Sequence, residues 1–166
     1  KGRTWPERYP SHIVDFEGDY FFLGEGWWWQ ARSGRICLIA RLDSRYCKGR
    51  LPEYDSLPQD IDDNCDRMFV YETTDEARVL RPARPLGGIG EMYPSILRLG
   101  GGRLLLTFTV RSLNPPLGVQ AVLGEETDEG FEFDFEHDRI VLDAKTPMDK
   151  KSGGGFGPTV QLSDGT

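Results

Sequence analysis

Histidine is the scarcest of the reactive residue types in this sequence, with two among 166 residues. His12 and His137 have no second ligand at the spacing that zinc sites use, so a zinc centre is not expected. The Gly-x-Ser-x-Gly motif of serine hydrolases does not occur either. The glycine triplets at 100–102 and 153–155 are not followed by the Lys-Ser or Lys-Thr of a phosphate loop, so they predict turns. The sequence predicts no metal and no cofactor.

Cysteine is almost as rare, and the three cysteines cannot all pair within one chain. Two interpretations stay open. Cys37, Cys47 and Cys65 are all free thiols, or Cys47 and Cys65 form a disulfide.

Long apolar runs and excess positive charge are both missing. No run approaches the roughly 18 residues that a membrane-spanning helix requires. The net charge of −7 and the pI near 4.9 argue against nonspecific binding to nucleic acid or to an anionic membrane. We therefore expect neither nucleic acid nor a membrane span among the partners. The chain begins at Lys1 and stops inside a strand-turn motif, so we expect a partial chain, and its compartment is left open.

Glycine and proline are abundant, with 20 and 11 residues, and this favours short strands and turns over helices. The clearest pattern is a hairpin in 118–142. An apolar run at 119–123 leads into a polar corner, Glu125–Gly130, after which Phe131, Phe133 and Phe135 alternate with acidic residues. Such alternation is typical of a half-buried strand. The segment 93–142 predicts four strands, at about 94–99, 103–111, 118–124 and 131–142.

The same elements recur along the chain. A second hairpin, in 67–80, carries the same Thr-Asp-Glu sequence. This copy begins at Thr74, 53 residues before the copy that begins at Thr127. The opening Tyr93-Pro94-Ser95 recurs as Tyr9-Pro10-Ser11, and the segment that begins at Phe156 matches the segment that begins at Tyr93 at an offset of 63. Repeated strand pairs predict an all-β fold, a fragment of a β-propeller with about two and a half four-stranded blades. We place them at about 9–92, 93–145 and 156–166, with 43–66 as a long acidic surface loop.

An aromatic run, Trp27-Trp28-Trp29, is followed by Gln30 and Arg32. Aromatic faces beside Gln and Arg suit a sugar, which has an apolar face and a polar rim. The other interpretation, which stays open, is that the tryptophans fill a core and anchor an edge strand.

The hairpin corners resemble the Asp box of the sialidase superfamily, Ser-x-Asp-x-Gly-x-Thr-Trp. Glu126–Phe133 keeps the Asp, the Gly and an aromatic residue, and Thr73–Leu80 keeps the Asp and an apolar closing residue. The Tyr-Pro-Ser openings and the segment 152–162 also resemble inner strands of sialidase-like blades. The resemblance covers roughly 9–24 and 67–166. It implies a six-bladed propeller whose remaining blades would cover the apolar faces of this chain.

The resemblance also implies chemistry on a glycan or glycoconjugate. Sialidases use a Tyr nucleophile, a Glu base and arginines that bind the substrate carboxylate. By position, Tyr93 matches the nucleophile and Glu91 the base. The expected substrate-binding residues are Arg111, Arg98, Arg32 and Trp28, with Arg41 as a further arginine candidate.

The expected function is that of a sialidase-like glycoside hydrolase, which hydrolyses or recognises terminal sugars of glycoconjugates, acidic sugars among them, with a retaining mechanism for hydrolysis. Two alternatives are a non-catalytic carbohydrate- or protein-binding propeller and a purely structural repeat domain. The repetition of Tyr-Pro-Ser at Tyr9 favours an architectural role for that motif.

Overall fold

A computed structural model of the chain describes residues 12–14, 25–58, 63–73, 79–111, 116–144 and 158–165. Most of these residues lie in β-strands, and the described helices are three or four residues long. The predicted all-β class and low helix content are therefore confirmed. The strands are β1 (His12–Ile13), β2 (Gly26–Gln30), β3 (Ile36–Leu42), β4 (Arg67–Glu72), β5 (Val79–Leu86), β6 (Glu91–Arg98), β7 (Arg103–Val110), β8 (Gly118–Glu126), β9 (Phe131–Phe133) and β10 (Arg139–Ala144).

The first sheet has the strand order β1-β5-β4-β3-β2. Strands β2 to β5 follow one another as an antiparallel meander, whereas β1 pairs in parallel with β5. The β4–β5 pairing confirms the hairpin predicted in 67–80. Its corner at 74–78 lies outside the described residues, as does most of the strand pair predicted in 9–24.

The second sheet has the order β10-β8-β7-β6, and β9 also pairs with β8. Strands β6, β7 and β8 agree with the predicted strands to within a few residues. The tight β6–β7 connection uses glycine in the left-handed region, with φ of 74° at Gly101 and 81° at Gly102. The segment 158–165, predicted to open a third blade, forms no strand among its described residues.

The predicted strand 131–142 is wrong as a single element, because it divides into β9 and β10. Asp134 causes the break: its Oδ1 accepts hydrogen bonds of 3.0 Å from the backbone N–H groups of Glu136 and His137. Such an Asx turn competes with the strand ladder. The alternation of Phe133 and Phe135 with acidic residues continued through this turn and concealed it.

The main core lies between the two sheets. It combines residues from both, and Trp29 meets Phe131 edge to face with ring centres 6.3 Å apart. Thirteen buried side chains form it: Trp29, Cys37, Ile39, Met68, Val70, Leu86, Ile96, Leu104, Leu106, Phe108, Val110, Val122 and Phe131. Trp29 therefore has the core position that one of the two interpretations of the tryptophan run expected.

A second core covers the other face of the first sheet, and it corrects the prediction that 43–66 is a plain surface loop. Two short helices, α1 (Ser44–Cys47) and α2 (Pro52–Asp55), place Cys47 and Tyr54 against β3 and β4, fully buried. Asp43 caps α1 by accepting the N–H of Arg45, and Pro52 begins α2. Cys37 and Cys47 are buried free thiols, so the Cys47–Cys65 disulfide is not formed. None of the helices in the described ranges is long and apolar enough to cross a membrane.

Candidate functional site

Strand β6 carries a bulge at Tyr93. Met92 pairs with Thr109 and Ser95 pairs with Thr107, so Tyr93 and Pro94 together face one residue of β7. Pro94 has no N–H to donate to the ladder, and a bulge is one of the few places in a sheet where proline fits. Tyr93 has a φ of 61°, and no other non-glycine residue of the described chain has a positive φ. Such backbone strain concentrates at functional sites, which makes Tyr93 the starting point.

Two arginines converge on the Tyr93 side chain. Arg111 Nη2 donates a 2.7 Å hydrogen bond to the phenol oxygen, and the Arg111 guanidinium lies 4.9 Å from the ring centre. The Arg41 guanidinium lies 5.8 Å from the same ring centre. Arg111 follows β7 directly and Arg41 lies near the end of β3, so the two sheets each supply one cation. Both distances are within the range of cation–π contact.

Three carboxylates surround these arginines. Asp63 Oδ2 lies 3.2 Å from Arg111 Nη1 and 3.9 Å from Arg41 Nη1, so it bridges the pair. Glu25 contacts Arg41 Nε at 3.2 Å, and Asp66 contacts Arg41 Nη1 at 3.5 Å. The side chains of Asp63 and Glu25 are 57% and 48% exposed, whereas that of Asp66 is 4% exposed. We refer to Tyr93, Arg41, Arg111, Glu25, Asp63 and Asp66 as the tyrosine–arginine cluster.

Burial shifts the pKa of two members of the cluster. It raises the pKa of the Tyr93 phenol, and the nearby Arg111 charge opposes this increase. Burial also raises the pKa of Asp66 to about 6. The hydrogen bond from Ser44 N–H and the Arg41 charge oppose this increase, whereas the Asp43 charge adds to it. Ser44 N–H donates to Asp66 Oδ1 at 2.8 Å, which fixes this carboxylate under α1. The phenol of Tyr93 is therefore neutral at ordinary pH and accepts from Arg111.

Glu91, the predicted base, lies in a different network. Its side chain is fully buried, and Arg139 Nη1 contacts its Oε1 at 2.6 Å. The other oxygen, Oε2, accepts the Gly88 N–H at 2.7 Å. Arg139 Nη1 also donates to Gln120 Oε1 at 2.9 Å. Both oxygens of Glu91 are therefore engaged by Arg139 and Gly88 rather than by Tyr93, and its assignment as a base stays a prediction.

The other predicted substrate-binding residues lie apart from Tyr93. Arg98 Nη2 contacts Glu126 Oε1 at 2.7 Å, and Arg32 Nε contacts Glu126 Oε2 at 3.5 Å. Arg98 also lies 3.8 Å from the Trp29 ring centre, where it closes one end of the main core. Trp28, on the opposite side of β2 from Trp29, is 51% exposed. Of the predicted arginines, Arg111 and the further candidate Arg41 are the two that contact Tyr93.

Sequence reasoning ranked Arg41 low and missed Glu25, Asp63 and Asp66. The acidic character of 60–66 was visible, but nothing local indicated that Asp63 and Asp66 contact Arg41 and that Asp63 also contacts Arg111.

A cavity of about 550 Å³ lies elsewhere, beside the β8–β9 turn. Its charged lining is entirely acidic, and Tyr93 does not line it. We place the candidate site at the tyrosine–arginine cluster because donors, acceptors and an aromatic ring meet there.

No group of three or more His, Cys, Asp or Glu residues in the described ranges is arranged to hold a metal ion. Comparison of the chain with protein-family models, with curated proteins and with solved structures found no match.

Proposed function

We propose that this chain is part of a sialidase-like β-propeller that binds and hydrolyses the terminal sugar of a glycoconjugate. Two consecutive antiparallel units, β2–β5 and β6 to β10, support the propeller assignment because each resembles a four-stranded blade in connectivity. In the second unit β9 and β10 both pair with β8 and together take the place of the fourth strand. Their inward faces share one core. The outer strand β10 leaves Ile140, Val141 and Leu142 between 42% and 55% exposed, as a blade without its neighbour would.

The observation that carries the proposed activity is the hydrogen bond from Arg111 to the Tyr93 phenol within a cluster that is half exposed at Asp63 and Glu25. Sugar hydroxyls both donate and accept hydrogen bonds. The guanidinium N–H groups supply donors, the carboxylates supply acceptors, and Tyr93 supplies a nucleophilic oxygen. In a retaining hydrolysis the Tyr93 oxygen would bond to the anomeric carbon as the glycosidic bond breaks, and its phenol proton would be passed on to the departing alcohol. Water would then release the sugar and return a proton to the Tyr93 oxygen.

The non-catalytic alternative has one specific observation in its favour. Hydrolysis requires an acceptor for the phenol proton, and both oxygens of Glu91 are already engaged by Arg139 and Gly88. If Glu91 keeps these partners when a sugar binds, the cluster recognises the sugar without cleaving it. The second candidate function is therefore a carbohydrate-binding propeller module.

Turnover separates the two candidates. Fluorogenic glycosides of acidic and neutral sugars are supplied to the intact protein, to Tyr93→Phe and to the control Tyr71→Phe. Tyr71 is a suitable control because its hydroxyl is buried without a hydrogen-bond partner in the first sheet. The hydrolase proposal predicts turnover that Tyr93→Phe abolishes and Tyr71→Phe preserves. Equal turnover by both variants removes Tyr93 from the mechanism. Sugar binding without any turnover establishes the second candidate.

A further inference from the structure

The two arginines at Tyr93 are already neutralised within the protein. Arg41 has three carboxylates within 4 Å, those of Glu25, Asp63 and Asp66, at 3.2, 3.9 and 3.5 Å. Arg111 has Asp63 at 3.2 Å. Two positive groups thus face three negative ones. The chain as a whole, cluster included, has a net charge of −7. No excess positive charge is left in the cluster to attract an anion.

The exposed members of the cluster are the acceptors rather than the donors. Asp63 and Glu25 are 57% and 48% exposed, while the Arg111 and Arg41 side chains are only 13% and 23% exposed. A ligand that approaches from solvent therefore meets carboxylate oxygens first. Ionised carboxylates accept hydrogen bonds and donate none, so they match hydroxyl groups and repel another carboxylate.

We propose that the sugar bound at the tyrosine–arginine cluster is uncharged, with its hydroxyls donating to Asp63 and Glu25 and its oxygens accepting from Arg111 and Arg41. This inference rests on the proposed function and narrows the substrate class from acidic or neutral sugars to neutral ones. Asp63 is the selecting residue, because its carboxylate bridges both arginines at the place where the carboxylate of an acidic sugar would have to bind.

The geometry shows why Asp63, and not Asp66, sets this preference. Asp66 is 4% exposed and is fixed by the Ser44 N–H, so a ligand does not reach it. Asp63 is exposed; its Oδ2 accepts a 3.2 Å hydrogen bond from Arg111 Nη1 and forms a longer ion pair, at 3.9 Å, with Arg41 Nη1. Removal of its charge alone frees Arg111 to pair with a carboxylate from the ligand, as arginine does readily in planar two-bond geometry.

The test uses sugar pairs in which a carboxylate replaces the C6 hydroxymethyl group of the neutral member: methyl glucoside with methyl glucuronide, and methyl galactoside with methyl galacturonide. Affinities of the intact protein are measured by calorimetry at pH 7.5. The wild type is expected to bind the neutral member of at least one pair about tenfold more tightly, which corresponds to about 1.4 kcal/mol. Asp63→Asn is expected to cancel or invert this preference. Glu25→Gln is a second, independent variant that should reduce it.

Asp128→Asn is the control, since it removes one exposed carboxylate at the β8–β9 turn and should leave the preference unchanged. A wild type that prefers the uronic acids overturns this inference alone, as does an Asp63→Asn variant with an unchanged preference. Failure of all four sugars to bind the wild type and both variants overturns the proposed sugar site itself, and the inference with it.

Discussion

Arg111 Nη2 donates a 2.7 Å hydrogen bond to the phenol oxygen of Tyr93, and this bond joins the end of one strand to a bulge in its neighbour. Tyr93 reaches Arg111 from a backbone conformation, φ of 61°, that costs an L-residue roughly 1–2 kcal/mol. The strain persists because both flanks of the bulge are fixed. Met92 is fully buried on one side, and on the other the Ser95 hydroxyl accepts the Thr159 N–H at 2.8 Å.

Loss of the Tyr93 hydroxyl should destabilise the fold even without a ligand. In Tyr93→Phe, Arg111 Nη2 loses its acceptor in a side chain that is 13% exposed, and we expect a loss of about 1–2 kcal/mol. Backbone strain cancels, because Phe is as strained as Tyr at this φ. Tyr71→Phe removes a buried hydroxyl without a partner and should cost less than about 0.5 kcal/mol. Urea denaturation of the three proteins measures both, and equal losses would contradict the role given to Arg111.

The buried ion pair behind the bulge should matter more. Glu91→Gln leaves the Arg139 charge without its partner beside Phe108, and we expect a loss of about 3 kcal/mol. Glu72→Gln is the matched control, because Glu72 and Arg35 form an ion pair of which each side chain is about one third exposed. Exposed pairs contribute less than about 1 kcal/mol. Chemical denaturation of the two variants should separate them clearly; similar losses would show that Glu91 is not held as described.

Two glycines with similar backbone angles test how closely the chain packs around Glu91. Gly87 and Gly49 have φ of 69° and 72°. A Cβ at Gly87 would meet Glu91 Oε2 and, at 3.0 Å, Phe135, whereas a Cβ at Gly49 would meet nothing within 4 Å. Gly49→Ala should therefore cost only the conformational strain of about 1 kcal/mol, and Gly87→Ala should cost about 1–3 kcal/mol more. Thermal unfolding of both variants provides the comparison. A Gly87→Ala protein no less stable than Gly49→Ala would contradict this packing.

Asp66 should make stability depend on pH. Burial raises its pKa to about 6 from the ordinary value of 3.8, so the native state holds the proton more tightly than the unfolded chain does. Linkage then requires this contribution to fall as pH rises between about 4 and 6, by roughly 2–3 kcal/mol in total. Asp66→Asn should remove that decrease, while Asp128→Asn should keep it. Urea denaturation at pH 4, 5, 6 and 7 measures how the free energy of unfolding changes with pH. The same pH dependence in the wild type and in Asp66→Asn would contradict this prediction.

The strands were predictable from the sequence because local pattern decides them. Phe131 and Phe133 alternate with acidic residues, and glycines 100–102 mark the β6–β7 turn, so β6 to β9 could be placed without long-range information. The turn at Asp134 was missed since its side-chain capping leaves the alternation of phenylalanines intact. Tyr54 was missed for a different reason: its burial comes from two helices too short to show helical periodicity.

The site was less predictable than the strands. Tyr93 and Arg111 could be nominated from a resemblance, and the Pro94 that follows Tyr93 was a local signal for the bulge that was not used. The contacts of Arg41 with Asp63 and Asp66 join residues more than 20 positions apart, across the two short helices. Such pairings follow from the packing of 43–66 on the first sheet, and no local pattern encodes them.

Arg111 is the residue that holds the Tyr93 phenol and, in the proposed function, binds the sugar. Calorimetry with the best neutral methyl glycoside tests this directly on the wild type, on Arg111→Lys and on the control Arg103→Lys, which changes an exposed arginine at the start of β7. Lysine cannot bond Tyr93 and Asp63 through a planar fork, so we predict at least about tenfold weaker binding for Arg111→Lys and unchanged binding for Arg103→Lys. Equal affinities in all three proteins would contradict the account.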